Sequence, residues 1–532
     1  MRWMLCCAIL LSVVPSFAQT GVGTVTFTNS GKPEAQEPFL RGLALLHNFE
    51  YPTAATAFRQ AQDADPSFAM AYWGEAMTHT HPIWFQQDLA AARAVLQRLG
   101  ATPEERLAKA GTERERDYLR TLDVLYGDGE KNARDFLYAD AMGALHARYP
   151  DDVDATAFYA LAILGTAHEG RDFSKYMRAA SLLEEVFPAN MRHPGVLHYL
   201  IHSYDDPVHA PLGMRAARLY GAVAPDAGHA LHMTSHIFIA MGMWDDVIDA
   251  NRRAISVVNR QRAEKSRPAA HCGHYPTWLH YGLLQKGNDH DATRALEACR
   301  ASAFAEKFVP GSPGEQPRYR LEEFAMMRAH QISSSSALPA TDMVAIPNGV
   351  EAPIAQFTLA YGDVLAAARR KDAAMLKSAA ARLHSLKKAA IEAADEGTAA
   401  NPTARIAAEV MVQEADALQI LVTATPETAK RDEALKILEA AAKAERSMPI
   451  EFGPPVVPKP AAELLADELL AAGRAAEAAS AYQSVLERTP GRKPALEGLL
   501  LAQKAAGDVE AAARTAKKLT PEKTKATAPH VH

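Results

Sequence analysis

The stretch that decides the fold is residues 38–66, PFLRGLALLHNFEYPTAATAFRQAQDADP. Its apolar residues recur every three or four positions, which is the period of an amphipathic helix. A glycine lies in the first helical run, small and large residues alternate in the second, and a proline follows it. These marker residues are Gly42, Ala54, Phe58, Ala61 and Pro66. The pattern predicts two helices packed on each other, with the proline ending the pair.

The same spacing returns near the C-terminus. Gly473 and Gly507 are 34 residues apart, as are Ala478 and Ala512. Thirty-four residues is the period of the tetratricopeptide repeat (TPR), and the marker residues resemble that family in type and spacing. The resemblance implies an all-α fold, a right-handed superhelix of antiparallel helix pairs with no sheet. It also implies glycines at tight interhelical contacts and a concave groove that binds a peptide, a protein or a small molecule.

Composition agrees with helices and excludes one class of partner. The chain has 532 residues and a formal net charge of −6, and its Ala-rich runs contain few β-branched residues. A nucleic-acid-binding protein would carry a basic stripe. We therefore expect no nucleic-acid partner.

The chain divides into four predicted parts. Residues 1–18 combine a basic residue, an apolar run and small residues before Gln19, which is typical of a secretory signal peptide. We expect a secreted or periplasmic protein with no membrane insertion after signal cleavage. An N-terminal TPR-like array follows over 19–332, then a Ser/Pro-rich linker or ordered loop over 333–350, then a C-terminal array over 351–532. Cys272 and Cys299 remain after cleavage, and the sequence alone does not establish that they pair.

Histidines are concentrated in one set of repeats. The stretch HALHMTSHIF, residues 229–238, places three histidines on one helix stripe, and VLHYLIH lies 34 residues upstream of its core. His198 therefore corresponds to His232, and His202 to His236. In the TPR register these positions face the concave groove, and His274 takes an equivalent position in the next repeat.

Imidazoles in this arrangement are suited to a transition metal. Histidines at i and i+4 can direct nitrogens to one point, and neutral imidazole is a common ligand of Zn, Cu and Fe. The sequence predicts one ion, or a dinuclear centre, in the groove. The predicted ligands are His198, His202, Asp205, His229, His232, His236 and His274. His168, His79 and His81 are weaker candidates.

Two readings of function remain open. The first is an exported interaction scaffold whose His-lined groove binds a transition metal. The second is a metalloenzyme, either a metal-dependent hydrolase or a Cu or Fe oxidase, that uses the same histidines. A metal-free groove that binds an anionic peptide through its imidazoles is a further alternative. Motifs for other catalytic chemistries, such as G-x-S-x-G or H-E-x-x-H, are absent from the sequence.

Overall fold

The computed structural model describes residues 21–304, 317–335, 351–395, 402–423 and 429–519. Within these residues the chain forms 24 α-helices, two 3-10 helices and one two-stranded ribbon. The α-helices are α1 Pro33–His47, α2 Tyr51–Ala64, α3 Ala69–Met77, α4 Leu89–Leu99, α5 Pro103–Ala108, α6 Glu113–Leu125, α7 Lys131–Arg148, α8 Val153–Leu164, α9 Phe173–Val186, α10 Pro194–Tyr204, α11 Ala210–Val223, α12 Gly228–Ala240, α13 Trp244–Glu264, α14 His274–Gln285, α15 Asp289–Ala303, α16 Pro317–Ser334, α17 Pro353–Arg370, α18 Ala373–Asp395, α19 Pro402–Thr423, α20 Ala429–Ser447, α21 Ala461–Ala471, α22 Ala475–Arg488, α23 Lys493–Ala505 and α24 Val509–Leu519. The 3-10 helices are Pro82–Trp84 and Phe187–Ala189, and the strands are β1 Thr80–His81 and β2 Gln86–Gln87.

Helices that follow each other in the chain pack on each other. Contacts run in order from α1 and α2 to α23 and α24. Alternate helices also touch, as α8 with α10, α10 with α12 and α21 with α23, so one helix of each pair belongs to an inner row. This is the packing of a helical-repeat array. The predicted all-α helical-repeat fold is therefore confirmed.

The marker glycines have two different roles. A β-carbon at Gly42 would lie 2.9 Å from the ring of Phe58, so α1 and α2 approach closely there. Gly473 and Gly507 both have a φ of +77°, and a β-carbon at either would meet no described atom within 4 Å. No tight contact with described atoms forms at these two glycines themselves, but they lie in the turns beside the packed pairs α21–α22 and α23–α24. They are glycines because the turn between paired helices requires a left-handed backbone.

One local feature differs from the predicted sheet-free fold. Strands β1 and β2 pair antiparallel, with Thr80 opposite Gln87 and His81 opposite Gln86. Each strand has two residues, and the turn between them places Phe85 at a φ of +54°. The ribbon lies in the connection between α3 and α4 and leaves the fold class unchanged.

The C-terminal repeats pack back on the middle of the chain. The indole Nε1 of Trp244 donates to the carbonyl oxygen of Gly491 at 2.9 Å. The backbone N–H of Lys493 donates to Oε1 of Gln285 at 2.8 Å. The residues that join α22 to α23 therefore rest on α13 and α14.

Some sequence predictions lie outside the described residues. The signal peptide at 1–18 does, and so does the linker at 333–350 except for its first three residues. Helix α16 continues to Ser334, so the first two residues of the predicted linker belong to a helix. The division into two arrays stays a prediction. None of the described helices has both the length and the apolar character that crossing a membrane requires.

Candidate metal centre

The histidines of the two motifs lie on adjacent inner helices. Helices α10 and α12 are buried along their whole lengths and pack on each other. Helix α10 begins with Pro194 at its first position, and the side chain of His193 accepts the N–H of Val196 at 3.3 Å. Glu50 accepts the N–H of His229 at 3.1 Å, at the positive end of α12. Both helices therefore begin at defined points, and their histidines face each other.

His198, His202 and His229 form the first trio. One nitrogen from each lies within 4.8 Å of the other two. The Nε2 atoms of all three are buried and have no hydrogen-bond partner among the described residues. The Nδ1 of His198 lies 2.6 Å from the carbonyl oxygen of His47, which only accepts, so Nδ1 carries the proton and Nε2 a lone pair. An unpaired buried nitrogen costs about 1–3 kcal/mol, so a group that satisfied all three would stabilise the trio.

His232, His236 and His274 form the second trio. One nitrogen from each again lies within 4.8 Å of the others. The Nδ1 of His232 donates to Oδ1 of Asn251 at 2.7 Å, which leaves a lone pair on Nε2. The Nε2 of His236 lies 3.2 Å from the Nε2 of His232. In the second trio, His232 and His236 lie on α12 and His274 begins α14.

Asp205 contacts both trios, and with His202 and His236 it forms a further group whose ligand atoms lie within 4.8 Å of one another. It is the residue after the end of α10, and its Oδ2 lies 2.9 Å from Nδ1 of His236 and 3.4 Å from Nδ1 of His202. Its Oδ1 accepts from the buried guanidinium of Arg171. Burial alone would raise the pKa of Asp205, but Arg171 and the hydrogen bonds from the two histidines hold it below its usual value. Because the carboxylate lies beside Nδ1 of both rings, it fixes the orientation of the two imidazoles.

Burial keeps the imidazoles neutral. It lowers the pKa of His198, His229 and His232 well below the ordinary value, and neighbouring histidines lower it further. Burial and the nearby His236 lower the pKa of His274 to about 3. Neutral imidazole is the form that binds a metal ion.

Aromatic rings surround the first trio. The ring of Phe49 lies 4.3 Å from that of His198 and 5.6 Å from that of His229, measured between centroids. Phe49 has a φ of +56°, a left-handed backbone that costs a bulky residue about 1–3 kcal/mol and persists only where the surroundings impose it. Trp84, 37% exposed, lies 6.0 Å from His229. The trio is therefore enclosed on this side by apolar rings.

The chain itself covers the other side. We call residues 448–460 the covering segment. The ring of Phe452 lies 4.9 Å from that of His236 and 6.1 Å from that of His202. A β-carbon at Gly453 would meet the ring of Trp278 at 2.7 Å, and the carbonyl oxygen of Pro458 accepts from Ser333 Oγ at 2.8 Å. The imidazoles consequently line a buried interior here rather than an open groove.

A third histidine group is fully hydrogen-bonded. His47 contacts Tyr199 OH at 3.0 Å through Nδ1 and Asp154 Oδ1 at 2.9 Å through Nε2. His193 contacts the same carboxylate oxygen at 3.2 Å and caps α10 with its other nitrogen. Burial lowers the pKa of His47 to about 4. This network supports the first trio, since the carbonyl group of His47 orients His198.

The structure separates the weaker candidates from the trios. His168 contacts Asp135 Oδ2 at 2.9 Å through Nε2, away from the first trio. His81 stacks on Tyr51 with 4.0 Å between ring centroids. His79 is in neither trio.

Several residues of the site were not found from the sequence. Asn251 and Glu50 hold histidines of α12, and Arg171 holds Asp205. Phe49 and Phe452 enclose the trios. Arg171 lies 34 residues before Asp205, so the repeat register could have pointed to it, whereas the other four stand in no such spacing to the predicted ligands.

No family model and no curated protein matches this sequence. Among solved structures, the chain is similar to yeast Tom70, with 13% identity, coverage of 91% of this chain and 98% of that chain, and a TM-score of 0.31. It is also similar to the TPR domain of P58(IPK), with 12% identity, 89% and 98% coverage and a TM-score of 0.20. A third match is Naa15/Naa10 bound to HypK-THB, with 11% identity, 93% and 64% coverage and a TM-score of 0.24. The TPR-like helical-repeat fold of the chain follows from its own helix packing, in which consecutive helices pair and alternate helices touch.

Proposed function

We propose that this protein is an exported helical-repeat scaffold that binds a transition metal through the two histidine trios. The observation that carries the proposal is the set of three buried Nε2 atoms, on His198, His202 and His229, that lack a hydrogen-bond partner among the described residues. A cation would satisfy all three lone pairs at once. The second trio offers the same donor type beside it.

The ligand distances fit an ion of the first transition series. Such an ion binds imidazole nitrogen at about 2.0–2.1 Å, so two ligands of one ion lie at most about 4.2 Å apart. The nitrogens of each trio lie within 4.8 Å of one another. Side-chain shifts of a few tenths of an ångström close the remaining difference.

Export is part of the proposal. It rests on the charge, apolar and small-residue order of residues 1–18. The disulfide between Cys272 and Cys299 agrees with an oxidising compartment. N-terminal sequencing of the exported protein should read from Gln19, and a sequence beginning at Met1 would contradict cleavage.

A metalloenzyme is the second candidate function, and one feature favours it. Each trio supplies three ligands, and three protein ligands leave a position open for water or substrate in catalytic metal sites. A peptide, a protein or a small molecule remains the proposed partner of the concave side. Because the covering segment fills the space beside His202 and His236, such a partner would bind away from Phe452 or displace it.

The test is metal analysis of protein purified from the exported fraction without added metal. We expect at least one transition-metal ion per chain. The double variant His202→Ala/His236→Ala, which removes one ligand from each trio, should lose most of it, whereas His168→Ala should keep it because that ring pairs with Asp135 outside the trios. Circular dichroism should give the same helix content for all three proteins. Wild-type metal content in a folded double variant would refute the proposal.

A further inference from the structure

We infer that the two trios together form a dinuclear copper centre, with one copper ion on each trio. This inference rests on the proposed function, because it assumes that the trios bind metal. It adds the number of ions, the element and the electronic contact between the ions.

The two trios are direct neighbours. His202 of the first trio and His236 of the second have ring centroids 5.6 Å apart, and His229 and His232 have centroids 6.1 Å apart. The second pair lies within one turn of α12. Ions held on these rings would be close enough to share a bridging ligand, as ions about 3.5–4 Å apart do in two-metal sites.

The donor set selects the element. Each trio offers three imidazoles and no thiolate; the carboxylate of Asp205 forms a further group with His202 and His236, but it is already paired with the buried Arg171. Hard cations such as Mg²⁺ and Ca²⁺ prefer oxygen ligands, and non-haem iron commonly has two histidines with a carboxylate. Cys272 and Cys299 are joined in a disulfide and supply no thiolate. Zinc, copper and nickel remain, and a given nitrogen site binds Cu²⁺ more tightly than the other two.

The charge around the trios favours copper for a second reason. Asp205 is paired with Arg171, and Asp206 is shared between Arg171 and His209. Glu50 accepts the backbone N–H of His229 at the start of α12. Little uncompensated negative charge is therefore available for two buried dications. The desolvation cost of an ion in a medium of low dielectric constant grows with the square of its charge, so two monovalent ions are accommodated more easily.

Copper has a stable monovalent state that accepts three nitrogen ligands. The ligand number of each trio matches this preference without requiring a fourth group. The short approach of His232 Nε2 to His236 Nε2, 3.2 Å, also becomes favourable once one cation lies against both lone pairs. Number of donors, donor type and surrounding charge therefore point to the same pair of ions.

The test is a titration of the metal-free full-length protein with Cu(I) under anaerobic conditions, against a chromogenic Cu(I) chelator. We expect two ions per chain. His229→Gln should remove one ion from the first trio, and His274→Gln one from the second, while His168→Gln should keep both. Glutamine preserves the volume and polarity of the side chain, and the wild-type stoichiometry is informative even if a variant fails to fold.

Oxidation of the loaded protein then shows whether the two copper ions are magnetically coupled. Ferricyanide takes one electron from each Cu(I), giving two Cu(II) and two ferrocyanide per chain. Coupled Cu(II) ions should give an electron paramagnetic resonance signal that integrates to well under one fifth of the copper, whereas each one-ion variant should give nearly its full copper. Two ions with a fully developed signal in the wild type would overturn the coupled centre.

The experiment distinguishes a failure of the copper inference from a failure of the proposed metal site. Protein that binds Zn²⁺ through the trios but takes up no Cu(I) would overturn the copper inference and leave the proposed function standing. Protein that binds neither ion would overturn both.

Discussion

The Nε2 atoms of His232 and His236 lie 3.2 Å apart inside a buried helix pair, while Nδ1 of His232 faces Asn251 and Nδ1 of His236 faces Asp205. With both Nδ1 atoms protonated, two lone pairs point toward each other. A neutral interior does not stabilise that contact, but a shared proton or a metal ion does. The close approach of these two nitrogens supports the proposed metal site.

Removing the ring that covers the trios should speed metal exchange. In Phe452→Ala, the rings of His202 and His236 lose their apolar cover, so a chelator reaches the ions more easily. We expect the rate of metal loss to a strong chelator to rise about tenfold, or ~1.4 kcal/mol in the barrier. The matched control is Phe136→Ala, since Phe136 is 47% exposed and lies beside His168 instead. Equal rates in both variants would mean that the covering segment does not limit access.

The bound metal should be retained below the pH at which free histidine releases it. Protons compete at about pH 6.5 for an unperturbed imidazole. Burial lowers the pKa of His198, His229 and His232, so their protonation requires a lower pH. Metal content after gel filtration should be unchanged down to about pH 5.5 and fall below it. A midpoint at or above about pH 6.5 would contradict this account.

The same shifts give the metal-free protein an acid-sensitive stability. Unfolded imidazoles bind protons below about pH 6.5, whereas the buried ones in the folded state do not. Their contribution to the free energy of unfolding is therefore fully present above pH 6.5 and decreases as the pH falls. Denaturant titrations of metal-free protein should follow that direction, and the metal-loaded protein should lose stability only at lower pH.

Removing the charge of Asp205 should weaken metal binding without removing a ligand. In Asp205→Asn, the carboxylate that orients His236 and pairs with Arg171 is lost, while the shape of the side chain is kept. We expect metal affinity to decrease by about 10–100-fold, as for other groups that orient metal-binding histidines. Asp135→Asn is the control, because Asp135 pairs with Lys131 and His168 outside the trios. Affinity equal to the control would exclude an orienting role.

A test of the repeat packing uses Gly42 and Phe58. A methyl group in Gly42→Ala would press on the Phe58 ring, which should lower the free energy of unfolding by about 1–3 kcal/mol. The smaller side chain of Phe58→Leu should relieve part of this, giving a coupling of about 0.5–3 kcal/mol between the two changes. Strict additivity in denaturant unfolding would contradict the close contact between α1 and α2.

The sequence predicted the features of the site that recur in successive repeats, but it did not predict the contacts made by the C-terminal part of the chain. The 34-residue spacing pairs His198 with His232 and His202 with His236, so adjacent helices and a shared inner row followed directly from it. Phe452 lies in a Pro-rich stretch more than 200 residues after His236 in the chain. Its position depends on how the C-terminal repeats pack on α13 and α14. Arg171 lies one 34-residue repeat before Asp205, but it stands in a connection between helices, where the helical period does not predict the direction of a side chain. The contacts that the sequence did not predict are therefore mainly those between segments far apart in the chain.

Asp205 shows the limit within the motif itself. Helical spacing predicted that it shares the face of His202 as a metal ligand. It follows the end of α10, and its two oxygens already contact Arg171, His236 and His202. The spacing thus predicted the neighbourhood correctly, and Asp205 forms a possible metal-binding group with His202 and His236; its role as a ligand stays a prediction.

The most direct test of the central claim is a crystal structure of the exported protein, with anomalous diffraction recorded on both sides of the absorption edge of the metal found in solution. We predict an anomalous peak at about 2.0–2.1 Å from the Nε2 atoms of His198, His202 and His229, and a second peak within the trio of His232, His236 and His274. Electron density in which these imidazoles hydrogen-bond only to water or to one another, with no anomalous signal in either trio, would contradict the account.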